Sequence, residues 1–304
     1  MIDTIHIYTK SYNILNGFDL NLLENYTEHN GKYGKYYKGN IGNFRVTYSA
    51  NNLSLQGSLT KFLLGNNVQN MSRSQITGAF KKLETKLGFK IGNFRISRID
   101  LAVTFEMKSI VPMYLDSLIE LPRYETITYG NETKSFTNKS KTVTFYDKVI
   151  KFNKNRSGTK LTDLDINFDN LLRYELQIKK ANRILGKITV DDINDDRYLK
   201  KLGNMWKNIF HKIKKNRKLI DIELIKLTKP KDFFSYLACD RIEEKGKGES
   251  FQLLTKLCKN GEIDRRRKYD LKQRIEMNEK KFCITSKYIE ELENLIDHYA
   301  EVFI

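Results

Sequence analysis

Asn93-Phe-Arg-Ile-Ser-Arg-Ile-Asp-Leu-Ala-Val-Thr-Phe105 is the stretch on which the fold turns. Side chains of a β-strand alternate between its two faces, so residues two apart share a face. Ile99, Leu101, Val103 and Phe105 then point one way, and Arg98, Asp100 and Ala102 the other. Two later stretches repeat the pattern. In Lys141-Thr-Val-Thr-Phe-Tyr-Asp-Lys-Val149, Val143, Phe145 and Val149 share one face while Thr144, Tyr146 and Lys148 share the opposite one. In Leu171-Leu-Arg-Tyr-Glu-Leu-Gln-Ile-Lys179, Leu172, Tyr174, Leu176 and Ile178 oppose Arg173, Glu175, Gln177 and Lys179. If the three strands are neighbours, one sheet face packs against helices. The other presents a tyrosine, a lysine, two carboxylates and several arginines.

Working outward, Ile5 and Ile7, then Phe44, Val46 and Tyr48, then Leu53 and Leu55 alternate as strands joined by Gly- and Asn-rich turns. Ser58 to Gly65 reads as a short helix, capped by the serine and stopped by the glycine. Ser72 to Leu87 has helical spacing (Ile76, Ala79, Phe80, Leu83, Leu87) and ends at Gly88. Residues 110–120 are predicted helical up to Pro122, and the polar stretch Asn153 to Asn170 is predicted to be a loop. Beyond about residue 190 the chain turns helical and highly charged, with His211-Lys-Ile-Lys-Lys-Asn-Arg-Lys218 and Arg265-Arg-Arg-Lys268 as its basic runs and Lys245-Gly-Lys-Gly248 as a hinge or exposed loop. The expectation is an α+β fold, an antiparallel sheet with flanking helices over residues 1–190, followed by a helical basic region over 191–304. Trp206, near Met205 and Phe210, reads as core.

The 304 residues carry 54 Lys and Arg against 37 Asp and Glu, a formal net charge of +17. A field of that sign attracts polyanions, of which nucleic acid is the commonest soluble one. Three widely spaced cysteines, Cys239, Cys258 and Cys283, form no Cys-x-x-Cys pair, which argues against a disulfide framework or a zinc site. The opening residues lack the apolar core of a signal peptide, and no apolar run approaches a membrane span. A cytoplasmic location in a bacterial host is expected.

The polar sheet face holds the parts for phosphodiester cleavage. A tyrosine hydroxyl can attack phosphorus and leave a stable phosphotyrosyl link that conserves the bond for later rejoining. Its phenol has a reference pKa of about 10 and profits from a nearby cation, a role open to Lys148 beside Tyr146. Asp100 and Glu175 could hold a divalent ion that polarises the phosphate. A basic face would hold the strand by its phosphates. Each has a plainer reading: Tyr146 is one of seventeen tyrosines, and Arg98 with Asp100, like Arg173 with Glu175, could be an ion pair.

Taken together, four stretches resemble the phage and plasmid replication proteins of the II/X family, typified by the filamentous phage gene II protein. They are Gly57 to Asn67, Ile96-Ser-Arg-Ile-Asp-Leu-Ala102, Val143-Thr-Phe-Tyr-Asp-Lys148 and Leu171 to Lys179, in the family's order, and the opening Met-Ile-Asp is similar too. The resemblance spans residues 1 to about 185. It implies a rolling-circle replication initiator, a site-specific single-strand DNA endonuclease and ligase acting at an origin through a 5′-phosphotyrosyl intermediate. The family's nucleophile falls on Tyr146 and its lysine on Lys148; the Ser-Arg-Ile-Asp match lands on Asp100 and the Arg-aromatic-Glu match on Glu175. Lys61, Arg98, Arg173 and Lys179 would contact DNA, and host replication proteins are possible partners. Related nicking enzymes often carry a paired-histidine metal motif, whereas the four histidines here, at 6, 29, 211 and 298, are unpaired. Where the filamentous phage protein has histidine, this chain has Asn66, so ligation would rest on carboxylates with Asn66, Asn67 or Gln177 as weaker donors, favouring Mg2+ or Mn2+ over zinc. Two other readings stay open: a catalytically silent origin- or single-strand-binding protein, and a relaxase or transposase with the same tyrosine chemistry. The clusters at Lys212, Lys214, Lys215, Arg217 and Lys218 and at Arg265, Arg266 and Arg267 are expected to meet DNA.

Overall fold

The computed structural model describes residues 1–154, 169–216, 229–245, 247–282 and 287–302. The chain divides into two compact units, one of Met1–Lys215 with Glu291–Ile304 and the other of Asn216–Glu290.

In the first unit the strands are β1 (Ile2–Thr9), β2 (Glu24–Gly31), β3 (Gly34–Ile41), β4 (Phe44–Ser49), β5 (Asn52–Ser58), β6 (Arg95–Glu106), β7 (Leu118–Glu120), β8 (Glu125–Tyr129), β9 (Thr133–Thr137), β10 (Lys141–Asp147), β11 (Leu171–Ile178) and β12 (Lys214–Lys215). Ten of them form one sheet in the order β2-β3-β4-β5-β1-β6-β11-β10-β9-β8, and every pairing in it is antiparallel. The three stretches that decide the fold are thus neighbours at its centre. Their apolar faces are shut away: Ile99, Leu101, Val103, Val143, Phe145, Leu172, Tyr174, Leu176 and Ile178 are all 0% exposed.

The helices are α1 (Tyr12–Asn16), α2 (Leu59–Leu64), α3 (Arg73–Leu87), α4 (Val111–Ser117), α5 (Lys148–Lys154), α6 (Ala181–Ile184), α7 (Val190–Ile193), α8 (Asp196–His211), α9 (Pro230–Lys245), α10 (Lys247–Lys259), α11 (Arg265–Phe282) and α12 (Lys287–Val302). Local chemistry fixes the helix ends. Ser58 caps α2 by accepting the N–H of Lys61, and Gly65 ends it in the left-handed region. Ser72 and Gln75 form a capping box on α3, which Gly88 ends in the same way. The apolar stripe of α3 and that of α8 (Leu199, Leu202, Trp206, Phe210) are buried. Trp206 stacks on Tyr174, centroids 4.5 Å apart, and accepts the Tyr174 hydroxyl at its carbonyl, 2.8 Å away.

Several expectations need correction. The first unit does not stop near residue 190, because the sheet's apolar face is completed by α8, and Tyr299 of α12 packs edge-on against Phe105. Residues 118–120 leave the helix predicted over 110–120 and pair with β12 instead. The strand predicted over 141–149 ends at Asp147, whose side chain accepts the N–H of Ile150 and so starts α5 at Lys148. Of the predicted loop 153–170, residues 155–168 lie outside the described residues, as do Arg217, Lys218 and Gly246. The hairpins β2–β3 and β8–β9 were not anticipated. In the second unit, α9, α10 and α11 pack on one another. Among the described residues no helix is long and apolar enough to cross a membrane.

Candidate active site

Antiparallel register puts Tyr146 opposite Arg173 and Arg173 opposite Thr104. The next row is Thr144, Glu175 and Ala102, and the one after it Thr142, Gln177, Asp100 and Thr4. The polar faces inferred from alternation therefore do converge, and they bring Tyr146, Arg173, Glu175 and Asp100 together. Contrary to a solvated face, this end of the sheet is closed: Tyr146 is 6% exposed, Lys148 4%, Arg173 2% and Asp100 1%.

Arg173 is the hub. Its Nη1 donates to the Asn67 carbonyl at 2.8 Å and to Thr104 Oγ1 at 3.1 Å, and its Nη2 pairs with Asp3 Oδ2 at 2.9 Å. Its Nε is buried with no hydrogen-bond partner, Glu175 Oε2 standing 3.9 Å away. Asp3 is a member of the site to which the sequence assigned no role. A register shift in β1 between Ile2 and Thr4 delivers its carboxylate to the polar face, where Ser58 Oγ donates to Oδ1 at 2.8 Å. Burial opposes the charge of Asp3, but Arg173, Ser58, Thr60 and Lys148 outweigh it and hold the carboxyl below its usual range. Burial likewise opposes the Arg173 charge, and Asp3, Tyr146 and Glu175 reverse that.

Lys148 does not share a strand face with Tyr146; it opens α5 and turns back over the site. Its Nζ donates to Asn67 Oδ1 at 2.8 Å and lies 5.9 Å from the centre of the Tyr146 ring, while the Nζ of Lys151, one turn on, lies 4.7 Å from it. Burial, with Arg173 and Lys61 adding to it and Asp3 and Glu175 opposing, lowers the Lys148 ammonium to about 7. Burial pushes the Tyr146 phenol well above its ordinary value, Arg173 pulling the other way and Glu175 and Asp3 reinforcing the rise. Asn67 is thus a clip on both cations. Its neighbour Asn66 spends its side chain locally, Oδ1 accepting the N–H of Val68 at 3.0 Å.

The remaining predicted residues scatter. Lys61 is exposed on α2. Arg98 is tied to Asp100, Nε to Oδ1 at 2.9 Å, so the ion-pair reading of that couple describes the geometry. Burial raises the Asp100 carboxyl against the pull of Arg98, and burial raises Glu175 against Arg173. Lys179 lies beyond the far end of β11, six residues and roughly 20 Å along the strand from Arg173, with Nζ on Thr137 Oγ1 at 3.1 Å. Lys214 and Lys215 of the first basic cluster pair with Glu120 and Glu293.

The carboxylates as arranged do not form a cage for a divalent ion. Asp3 is spent on Ser58 and Arg173, and Asp100 on Arg98. Among the described residues no three His, Cys, Asp or Glu side chains come together as metal ligands.

The chain thus has an all-antiparallel sheet, a tyrosine beside the buried cations Arg173 and Lys148 on one face, and a net charge of +17. Residues 23–195, more than half of the chain, match the family described as the N-terminal part of a phage replication-associated protein. The chain belongs to this family, the phage and plasmid rolling-circle replication initiators. It is also similar to a solved rolling circle replication initiator protein from Geobacillus stearothermophilus, at 16% identity and a TM-score of 0.37, over 73% of this chain and 88% of that one. No curated protein sequence matches it.

Proposed function

We propose that the protein nicks one DNA strand at its origin with Tyr146 as nucleophile. The observation that carries this reading is the convergence on Tyr146 of two cations from different elements, Arg173 across the sheet and Lys148 from α5, both fixed by Asn67. The Tyr146 Oη forms a bond to phosphorus and the P–O3′ bond breaks. The phenolic proton passes to the neutral amine of Lys148 and on to the departing 3′ oxygen, so the products are a 5′-phosphotyrosyl link and a free 3′-hydroxyl. Nothing else is consumed, and the reverse sequence reseals the strand. A lysine with a pKa near 7 is half neutral at cellular pH, the condition under which a general base works best. Arg173, opposite Tyr146 across the sheet, offsets charge as the phenol loses its proton.

The exposed Lys151 lies over the Tyr146 ring, 4.7 Å from its centre, and has to swing off it for a phosphate to enter; its ammonium then follows the phosphate. The Arg98 row continues through His6, Gln56 and Arg45, a path for the strand's phosphates that lies six residues, roughly 20 Å, along the strands from the Tyr146 row and ends five strand spacings, roughly 24 Å, across the sheet from β10. Dependence on a divalent ion is read from the chelator arm of the test below.

The test is incubation of the wild type and Tyr146→Phe with supercoiled DNA carrying the chain's own gene, in Mg2+ or Mn2+ and in chelator. Protein–DNA adducts are scored on denaturing gels. Adducts from the wild type and none from the variant are expected. Adducts that persist in Tyr146→Phe move the nucleophile elsewhere, and binding without nicking under every condition favours a silent origin-binding protein.

A further inference from the structure

We infer that Asp3 is a positioning residue of the nicking site, holding Arg173 against the Tyr146 row through a bulge in β1. The inference deepens the proposed tyrosine chemistry and rests on it. In a regular strand Asp3 would share the face of Ile5 and Ile7, which are 0% exposed, and its carboxylate would be driven into the core. The register shift between Ile2 and Thr4 moves it to the other face. There it makes the one carboxylate contact to an Arg173 Nη atom among the described residues, at 2.9 Å, while Ser58 braces it from β5 at 2.8 Å. The other Arg173 acceptors, the Asn67 carbonyl and Thr104, are neutral. Asp3 therefore supplies the charge that keeps a guanidinium in a site 2% exposed. It also contributes to the field at both reacting groups, after burial and Arg173. The charged groups facing Lys148 are Arg173, Asp3, Lys61 and Glu175, and those facing Tyr146 are Arg173, Glu175 and Asp3, with Lys148 and Lys151 over its ring. Removing Asp3 takes away a negative charge that favours the protonated form of each.

The experiment compares wild type, Asp3→Asn and Asp3→Glu, all as the full chain. It measures the rate of adduct formation from pH 5.5 to 9, origin-DNA affinity, and far-ultraviolet circular dichroism to establish folding. Asp3→Asn is expected to lose at least tenfold in rate with affinity within about threefold of wild type, and its pH midpoint moves to lower pH. Asp3→Glu keeps the charge and is expected to keep the wild-type midpoint, even if slower. Should Asp3→Asn fail to fold, the midpoint of Asp3→Glu decides alone, and a displaced midpoint overturns the inference. A rate equal to wild type in Asp3→Asn, or a loss of rate with an unmoved midpoint, also overturns it, the latter leaving Asp3 a purely structural residue. Tyr146→Phe run in parallel separates the two ideas: adducts from that variant sink the tyrosine reading, whereas an Asp3 effect absent beside a dead Tyr146→Phe sinks only this one.

Discussion

At the Tyr146 end of the sheet Arg173 and Lys148 are buried and committed, whereas Arg265, Arg266 and Arg267 at the start of α11, in the other unit, are all exposed. Both groups contribute alike to the net charge of +17. Arg173 makes its contacts to Asp3, Asn67 and Thr104 inside the protein, and Lys148 to Asn67. The exposed arginines keep their hydration and their reach. A buried charge is held in place and tunes the groups beside it; an exposed one is available to any phosphate and to salt. Net charge alone predicts a polyanionic partner, and placement divides the cations between those that act on the tyrosine and those that add affinity.

The sharpest way to break the comparison is to remove the hub. Arg173→Ala leaves Asp3 buried with no counter-charge, a change that costs about 3–5 kcal/mol when one member of a buried pair is deleted. Urea unfolding is expected to show that loss in the first unit, and Asp3→Asn combined with Arg173→Met is expected to recover part of it. If Arg173→Ala unfolds at the wild-type midpoint, the pair does not hold this end of the sheet together.

Lys148 sharpens the same contrast through pH. Its folded-state pKa of about 7 lies below the ordinary lysine value of 10.5. Between those values the unfolded chain binds more protons than the folded one, so the contribution of Lys148 to stability rises with pH. The slope is at most about 1.4 kcal/mol per pH unit. From pH 7 to pH 9 the wild type is expected to gain about 2 kcal/mol over Lys148→Met in chemical denaturation. Adduct formation by the wild type is expected to rise with pH through a midpoint near 7 as the amine becomes neutral. Parallel stability curves for the two proteins would show that Lys148 is not desolvated.

How much of this was legible depends on what each residue faces. The alternation in β6, β10 and β11 is readable because one face is wholly buried, and it located Tyr146, Arg173, Glu175 and Asp100 correctly on the other. In β2, Glu24-Asn-Tyr-Thr-Glu-His-Asn-Gly31, neither face is buried, so no apolar period exists to read. Asp3 was hidden for a different reason: strict alternation assigns it to the core, and only the pairing with β6 discloses the bulge. The turn at Lys148 carries its own signal in Asp147, a favoured helix cap. Whether Asp100 binds a cation or Arg98 is beyond periodicity, because both roles require the same residue on the same face.

The smallest effect expected is on the exposed side of the comparison. Arg265→Ala, Arg266→Ala and Arg267→Ala combined remove three exposed cations from α11 without touching a buried pair, so folding is expected to be unchanged. If each neutralises one phosphate, the slope of log affinity against log salt falls in magnitude by roughly 3 in total. Binding weakens at low salt and converges toward wild type as salt rises, because the lost contribution is itself the salt-sensitive one. The adduct rate at saturating DNA is expected to stay within about twofold of wild type, since these side chains contribute affinity and not chemistry. Fluorescence anisotropy with labelled origin duplex across a salt series reads the slope directly. An unchanged slope would assign α11 a solvated face, and a large fall in the saturated rate would show that the buried and exposed cations are not separate in function.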